Sequence, residues 1–458
     1  MAAPPSSSAG RENHSGGRDT IAAIATAVGG GIGIVRLSGP RAADIVARLA
    51  RPWPPRPQTH KLQRAVVHHP ASGERVDEVL AVVMRGPHSY TGEDVAELQG
   101  HGGALVLQRL LEATLAAGAR MAEPGEFTRR AFEAGRIDLS RAEAVAALIG
   151  SRSERALRAA QAMSEGALAD RMVRLRQRLI AVLAELEGAI DFPEDAGDVT
   201  PEAESARALE DISGEMSRLA ASYRPALFRP AEVALVGRVN AGKSSLLNAL
   251  SGQERALVDE EPGTTRDAVA VEVAFDGVAV TLVDTAGERE APERLERRGL
   301  ELGRARAARA DLVVLVVDGS RGFGDAEARL WEAARGPKLM AWNKRDLGRA
   351  RGLPPEALVV ETAAPTGEGV AELGRAIARA VAGDAEEGVS VVSERQAEAL
   401  RDGAAMLGGA AATLRTGEPP ELAAVEARRA LGAIGRVTGE TVDEAVLDAI
   451  FARFCIGK

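Results

Sequence analysis

The stretch VALVGRVNAGKSSLLNAL, Val233 to Leu250, decides how the centre of the chain is read. An apolar strand enters Gly237-x-x-x-x-Gly242-Lys243-Ser244, and an apolar-periodic helix leaves it. That order of strand, glycine loop and helix marks a phosphate-binding loop. Its glycines let backbone N–H groups turn toward phosphate oxygens, and the helix N-terminus adds positive potential. Lys243 is placed to reach β- and γ-phosphates and Ser244 to hold Mg²⁺, with Asn240, Ala241, Gly242 and Ser245 completing the cradle.

Three later segments define the nucleotide. PGTTRD, Pro262 to Asp267, brings Gly263, Thr264 and Thr265 toward the metal and the γ-phosphate. Asp284, Thr285, Ala286 and Gly287 end an apolar strand, where a carboxylate reads the Mg²⁺ shell and a glycine amide the γ-phosphate. Asn343, Lys344, Arg345 and Asp346 follow another strand, with Asp346 placed to accept from the guanine amino and ring N–H groups. Adenine has no such donor pair, so GTP is selected over ATP. Thr362, Ala363 and Ala364 read as a degenerate last guanine-contact loop. The glutamine that orients water in Ras-like proteins is replaced by Glu288, and no internal arginine finger is evident, with Arg238, Arg266 and Arg289 as candidates.

Around this core, strands and helices alternate from Ala231 to about Ala382, with near-continuous apolar runs typical of a parallel sheet buried on both faces. The G domain is set at 230–382. Leu168, Met172, Leu175, Leu179, Val182 and Leu186 share one helix face, which predicts a packed helical bundle or, in the alternative reading, a short coiled coil. IDFPED, Ile190 to Asp195, breaks that helix at Pro193. After the linker Gly383 to Gly388, helices are predicted at about 394–416, 419–437 and 440–454. A helical domain in two halves, 131–229 and 383–458, thus encloses the G domain. Residues 19–130 form an α+β domain, with strands around Gly29 to Gly33, a helix over Arg41 to Ala50 and another over Ala104 to Ala117. Residues 1–18 read as a disordered tail without the apolar core of a secretory signal.

Composition narrows the class. Across 458 residues, 45% hydrophobic and 27% charged content fits a globular protein. The apolar runs are too short to span a bilayer. One cysteine, Cys455, excludes an intrachain disulfide and points to a reducing cytoplasm. A net charge of −9 argues against a non-specific polyanion binder, and 3% aromatic content against a base-stacking surface.

The ordered set GIGIVRLSG, SYTGEDVAELQGHGG, PGEFTRRAFEAGRIDLSRAEA (Pro124 to Ala144), IDFPED, GRVNAGKSSLLNAL, PGTTRD, DTAGERE, NKRD and the terminal Cys455-Ile456-Gly457-Lys458 resembles the MnmE (TrmE) family of tRNA-modification GTPases from about residue 19 to 458. The resemblance implies an N-terminal α+β folate-binding and dimerisation domain, a discontinuous all-α domain and an inserted α/β P-loop G domain. It implies GTP hydrolysis coupled to aminomethyl-type modification of the tRNA wobble uridine. The chain would act as a homodimer with an MnmG/GidA-type flavoprotein carrying FAD and NADH, forming a heterotetramer. The one-carbon donor would be 5,10-methylene- or 5-formyl-tetrahydrofolate.

Carried over by residue, Asn240, Asp259, Glu261 and Thr264 match the K⁺ ligands, with Glu260 and Pro262 in the same loop. Such a cation supplies the charge an arginine finger gives elsewhere. Ser244 and Thr265 match the Mg²⁺ ligands, and Glu296 the glutamate that positions water. Without the resemblance, Glu296 reads as a solvated helix charge between Arg294 and Arg297. Arg36, Glu97, Arg136 and Lys458 match folate-binding positions, the cations suiting tail carboxylates and Glu97 the pterin's paired donors. Cys455 reads either as a reactive thiol or as a small residue packed near a helix end. The basic stretch Arg152 to Arg178 is the expected tRNA contact. Two departures from the family pattern stand out: a shorter loop at AVGGGIG, and Glu288 in place of an apolar residue. The rival class is a regulatory, ribosome- or RNA-associated GTPase, which needs neither the folate-type residues nor the CIGK tail.

Overall fold

The computed structural model describes residues 19–151, 153–191, 201–253, 270–284, 310–334, 336–348, 350, 352–383 and 391–457. The chain divides into two compact units, residues 1–142 with 438–458, and residues 143–437.

In the first unit, β1 (Ile21–Ile24), β2 (Ile32–Ser38), β3 (Ala50–Arg51), β4 (Gln63–His68), β5 (Arg75–Met84), β6 (Val95–His101) and β7 (Arg120–Met121) form one sheet in the order β3-β4-β5-β6-β2-β1-β7. Only the β1–β7 pair is parallel. Strand alternation sends Val35, Leu37, Ala96, Leu98, Val79 and Ala81 into a core with α1 (Ala42–Leu49) and α2 (Ala104–Ala116). Alternate positions on the same strands therefore present Arg36 and Glu97, direct register partners, on the other face. There α3 (Glu126–Glu133) buries Phe127 against Ile21 and Ala23.

The second unit holds a helical bundle and a second sheet. α4 (Leu139–Gly150) leads into α5 (Glu154–Ser164), whose N-terminal Ser153 Oγ accepts from the Ala156 N–H at 3.1 Å. α6 (Ala167–Asp191) buries Leu168, Met172, Leu175, Leu179, Val182 and Leu186 in a core shared with α7 (Pro201–Ala221). The spacing thus builds a bundle rather than an exposed seam. Pro193 lies outside the described residues.

A short helix α8 (Pro225–Phe228) precedes β8 (Ala231–Val236), α9 (Lys243–Gln253), β9 (Ala270–Phe275), β10 (Val278–Asp284), β11 (Leu312–Asp318), α10 (Asp325–Ala333), β12 (Lys338–Asn343), β13 (Val359–Thr362) and α11 (Val370–Ala382). The strand order is β13-β12-β11-β8-β10-β9, with β9 alone antiparallel to its neighbour. Apolar cores line both faces, as the unbroken runs required. The functional loops leave the carboxyl ends of β8, β10 and β12, where ligands gather in open α/β sheets.

α12 (Glu394–Thr416) and α13 (Pro420–Thr438) complete the bundle. Arg395 locks it internally: Nε and Nη2 meet both oxygens of buried Glu143 at 2.9 and 2.7 Å. The last helix, α14 (Glu444–Phe451), and the residues beyond it group with the N-terminal sheet. The cause is local packing. Pro124 bridges Ile456, Phe451 stacks between Phe132 and Phe454, and Gly457 lies so close to β1 that a Cβ would sit 2.2 Å from Ile24 O.

Candidate functional site

The phosphate loop is set by backbone conformations that few residues tolerate. Gly237 and Gly242 have φ of +157° and +92°, and a Cβ on them would lie 2.4 Å from Val316 O and 2.3 Å from Asn343 Nδ2. Asn240 also adopts a positive φ, +64°. Ala241 is buried under the loop, whereas Asn240, Ser244 and Ser245 are exposed. Lys243 is only 6% exposed, and its Nζ donates to the carbonyls of Gly237 and Arg238 at 3.0 and 2.9 Å. Burial pulls this amine below its ordinary pKa, and the charge of Asp284 opposes part of that effect. Ser244 Oγ donates to Asp284 Oδ2 at 2.6 Å, which ties α9 to the end of β10. Two adjacent hard oxygens at a phosphate loop suit Mg²⁺.

Asn343 joins three loops. Its Nδ2 donates to Ala241 O at 3.0 Å, while its Oδ1 accepts from Thr362 Oγ1 and the Ala364 N–H, each at 3.3 Å. Thr362 and Ala363 are buried, so this last loop contributes backbone and support around an exposed Asp346. Lys344, at φ +59°, donates to Asn240 O at 2.8 Å and Asp318 Oδ2 at 2.6 Å. Burial would raise the Asp318 carboxyl, but hydrogen bonds from Lys344 and Ser320 outweigh it and hold the group below the usual carboxylate range. The sequence reading does not single out Asp318. Its signal is an acid ending the apolar run LVVLVVD, as Asp284 ends VTLVD.

Asp259, Glu260, Glu261, Pro262, Gly263, Thr264, Thr265, Arg266, Thr285, Ala286, Gly287, Glu288, Arg289, Glu296 and Lys458 lie outside the described residues. Arg238 is described: its side chain faces buried Glu327 at 3.9 Å.

In the N-terminal sheet, Arg36 Nε donates to Glu97 Oε1 at 3.0 Å, and Gln99 Nε2 to Glu97 Oε2 at 3.0 Å. The Arg36 guanidinium lies 6.0 and 5.9 Å from the ring centres of Tyr90 and Phe127. Arg36 and Glu97 thus stand as one ion pair on this face of the sheet. Arg136 is exposed and lines a cavity of about 450 Å³ with Phe132, Asp138, Arg141 and Glu440. Cys455 is exposed, so the packed-residue reading does not describe its side chain.

Beside this pair sits a denser network. Arg130, 9% exposed, donates to Glu93 Oε2 at 3.0 Å, Asp19 Oδ1 at 2.7 Å and Glu126 Oε1 at 2.9 Å. Arg120 grips Glu126 at 2.6 and 2.8 Å and also reaches Asp19. Burial would raise the carboxyls of Asp19 and Glu126, yet the arginine hydrogen bonds hold both below the usual range. In the basic stretch of the bundle, Arg171 and Arg178 both pair with Glu215, which neutralises part of its charge, while Arg174 is exposed.

Residues 20–136 match the family described as the GTP-binding protein TrmE N-terminus, and residues 139–455 match the MnmE helical domain. Relatives called "tRNA modification GTPase MnmE" span nearly the whole chain. The one from Symbiobacterium thermophilum is 48% identical over 96% of this chain and 100% of its own length. Those from Synechococcus sp. strain JA-3-3Ab and Nitratidesulfovibrio vulgaris are 45% and 44% identical over 96% of this chain and 98% and 99% of theirs. A phosphate loop with a guanine-type Asn-Lys-x-Asp sequence, carried between matched N-terminal and helical segments, leads to one conclusion: the chain belongs to the MnmE family of tRNA-modification GTPases.

Proposed function

We propose that this chain hydrolyses GTP in a K⁺-dependent way and couples the hydrolysis to aminomethyl-type modification of the tRNA wobble uridine. The observation that carries the reading is the phosphate-loop arrangement in a chain whose relatives of similar length are called tRNA modification GTPases. Lys243, resting on two carbonyls, gives its charge to the phosphates. Ser244 and Asp284 hold the Mg²⁺ shell together with Thr265. Asp346 reads guanine. Mg²⁺ and K⁺ supply positive charge at the phosphates as negative charge develops there. Asn240 would hold K⁺ with Asp259, Glu261 and Thr264, in a homodimer whose G domains meet, and Glu296 would position the water.

The N-terminal domain would take the tetrahydrofolate. Glu97 fits a pterin's paired donors, because it is a mostly buried carboxylate with two oriented oxygens. Arg36 orients that carboxylate, and Arg136 and Lys458 suit the ligand's anionic tail. The flavoprotein partner, with its FAD and NADH, would share the chemistry in the cytoplasm. This reading keeps the partition into an N-terminal domain, a two-part helical domain and an inserted G domain. No helix among the described residues is long and apolar enough to cross a membrane.

The test is nucleoside mass spectrometry of tRNA from cells lacking this chain. Loss of the aminomethyl-type wobble modification is expected, and full modification would overturn the proposal.

A further inference from the structure

Trp342 immediately precedes the guanine-reading segment and is 1% exposed. A buried indole N–H is stabilised by an acceptor. Here it donates to Gly348 O at 2.8 Å, across the turn that carries Asp346. The turn is held at its other end by the Arg345 N–H, which donates to Thr362 O at 3.1 Å. Between these anchors the Leu347 N–H donates to Lys344 O at 2.8 Å, while Asp346 and Leu347 are exposed.

The far side of the turn is equally confined. A Cβ on Gly348 would lie 2.2 Å from Gly319 O, and one on Gly319 would lie 2.8 Å from Trp342 Nε1. Gly319 itself donates its N–H to Asn343 O at 2.7 Å. The indole, the two glycines and the end of β11 thus form a single contact set beneath the loop.

From this we propose that Trp342 is a positioning residue for guanine specificity: its indole N–H fixes the 344–348 turn so that the Asp346 carboxylate stands ready for the base. The inference rests on the guanine reading given above. A carboxylate that must accept from two donors of one rigid ring gains most from being fixed in advance. A side chain without an N–H at this position fills the core but removes the hydrogen bond that ties it to Gly348.

The effect is read as the ratio of GDP to inosine diphosphate affinity, because the inosine nucleotide lacks only the exocyclic amino donor. Calorimetry compares the full-length wild type with Trp342→Phe, Gly348→Ala and, as control, Trp331→Phe. Trp331 is a second buried tryptophan of the same core whose Nε1 has no hydrogen-bond partner among the described residues. Trp342→Phe and Gly348→Ala should each lower the GDP preference by about threefold or more, the scale of one impaired hydrogen bond, and Trp331→Phe should preserve it. Melting temperatures identify the folded variants. A folded Trp342→Phe chain with the wild-type ratio overturns the inference. Should that variant fail to fold, Gly348→Ala decides in the same way. A wild type that binds GDP no better than inosine diphosphate overturns the guanine reading itself, a distinguishable failure.

Discussion

Lys243 and Arg36 are both cations drawn out of water, but they rest on different partners. Lys243 sits on two main-chain carbonyls, which offer partial charge only. Arg36 sits on the carboxylate of Glu97, 3.0 Å away. A buried ammonium without a full countercharge is in deficit, so an arriving polyphosphate relieves it. A paired guanidinium is already neutralised, and an arriving anion must compete with Glu97. The phosphate loop is thus a receptor for charge. The N-terminal pair is better matched to a ligand that presents donors and acceptors side by side.

The largest effect bearing on this contrast belongs to the paired side. Arg130→Met removes a cation that touches Asp19, Glu93 and Glu126 together, and should destabilise the N-terminal unit by about 3–5 kcal/mol. Faster hydrogen exchange at the β1 amides of Ala22 and Ala23 measures it, and unchanged protection would show that these charges are not coupled to folding. Next, Glu296→Ala should cut GTP turnover by about 10²-fold with GTP affinity nearly intact, the usual scale for a positioned general base. Single-turnover kinetics beside Glu288→Ala tests this. If the two variants exchange effects, the water is held by Glu288.

The sharpest comparison is direct. Arg36→Met strands a mostly buried carboxylate and should cost about 1–3 kcal/mol of stability, with reduced-folate affinity falling about tenfold or more. Lys243→Met strands two carbonyls and removes a cation whose field reaches Asp284, so it should cost less stability than Arg36→Met, while GTP binding falls steeply. Equal destabilisation by the two substitutions would erase the distinction drawn between them.

The smallest effect is the response to acid. Asp19 and Glu126 titrate below their unfolded values of about 3.9 and 4.3. Their contribution is therefore fully present above those unfolded values, and it is lost as pH falls through the depressed folded values. Arg120→Met should flatten this acid limb in denaturation curves taken from pH 5 downward, and Arg130→Met should flatten it less.

Much of the G-domain fold was legible because its elements are local. Strand β8, the glycines at 237 and 242, and helix α9 follow one another within about twenty residues, and each conformation depends on its own neighbours. The α6 face was legible for the same reason, because Leu168 to Leu186 repeat at helical spacing. The Arg36–Glu97 pair is different. Its members are 61 residues apart, and only the antiparallel β2–β6 register brings them together. Periodicity along one strand says which face a residue takes, but it does not say which strand lies alongside. The contacts of α14 were hidden for the same reason: its helical pattern was visible, while the aromatic contact from Phe451 to Phe132 lies between distant segments.

The contact of Gly457 with Ile24 has a consequence for biosynthesis. This sheet is completed by residues translated well after it, with roughly 300 residues of bundle and G domain made in between. At about 5–20 residues per second, that interval lasts roughly 15–60 s. Throughout it, the end of β1 and the groove beside α3 lack their final covering. The N-terminal unit thus matures after the unit encoded downstream of it, so a nascent chain stalled before residue 438 would hold a finished nucleotide domain beside an unfinished sheet.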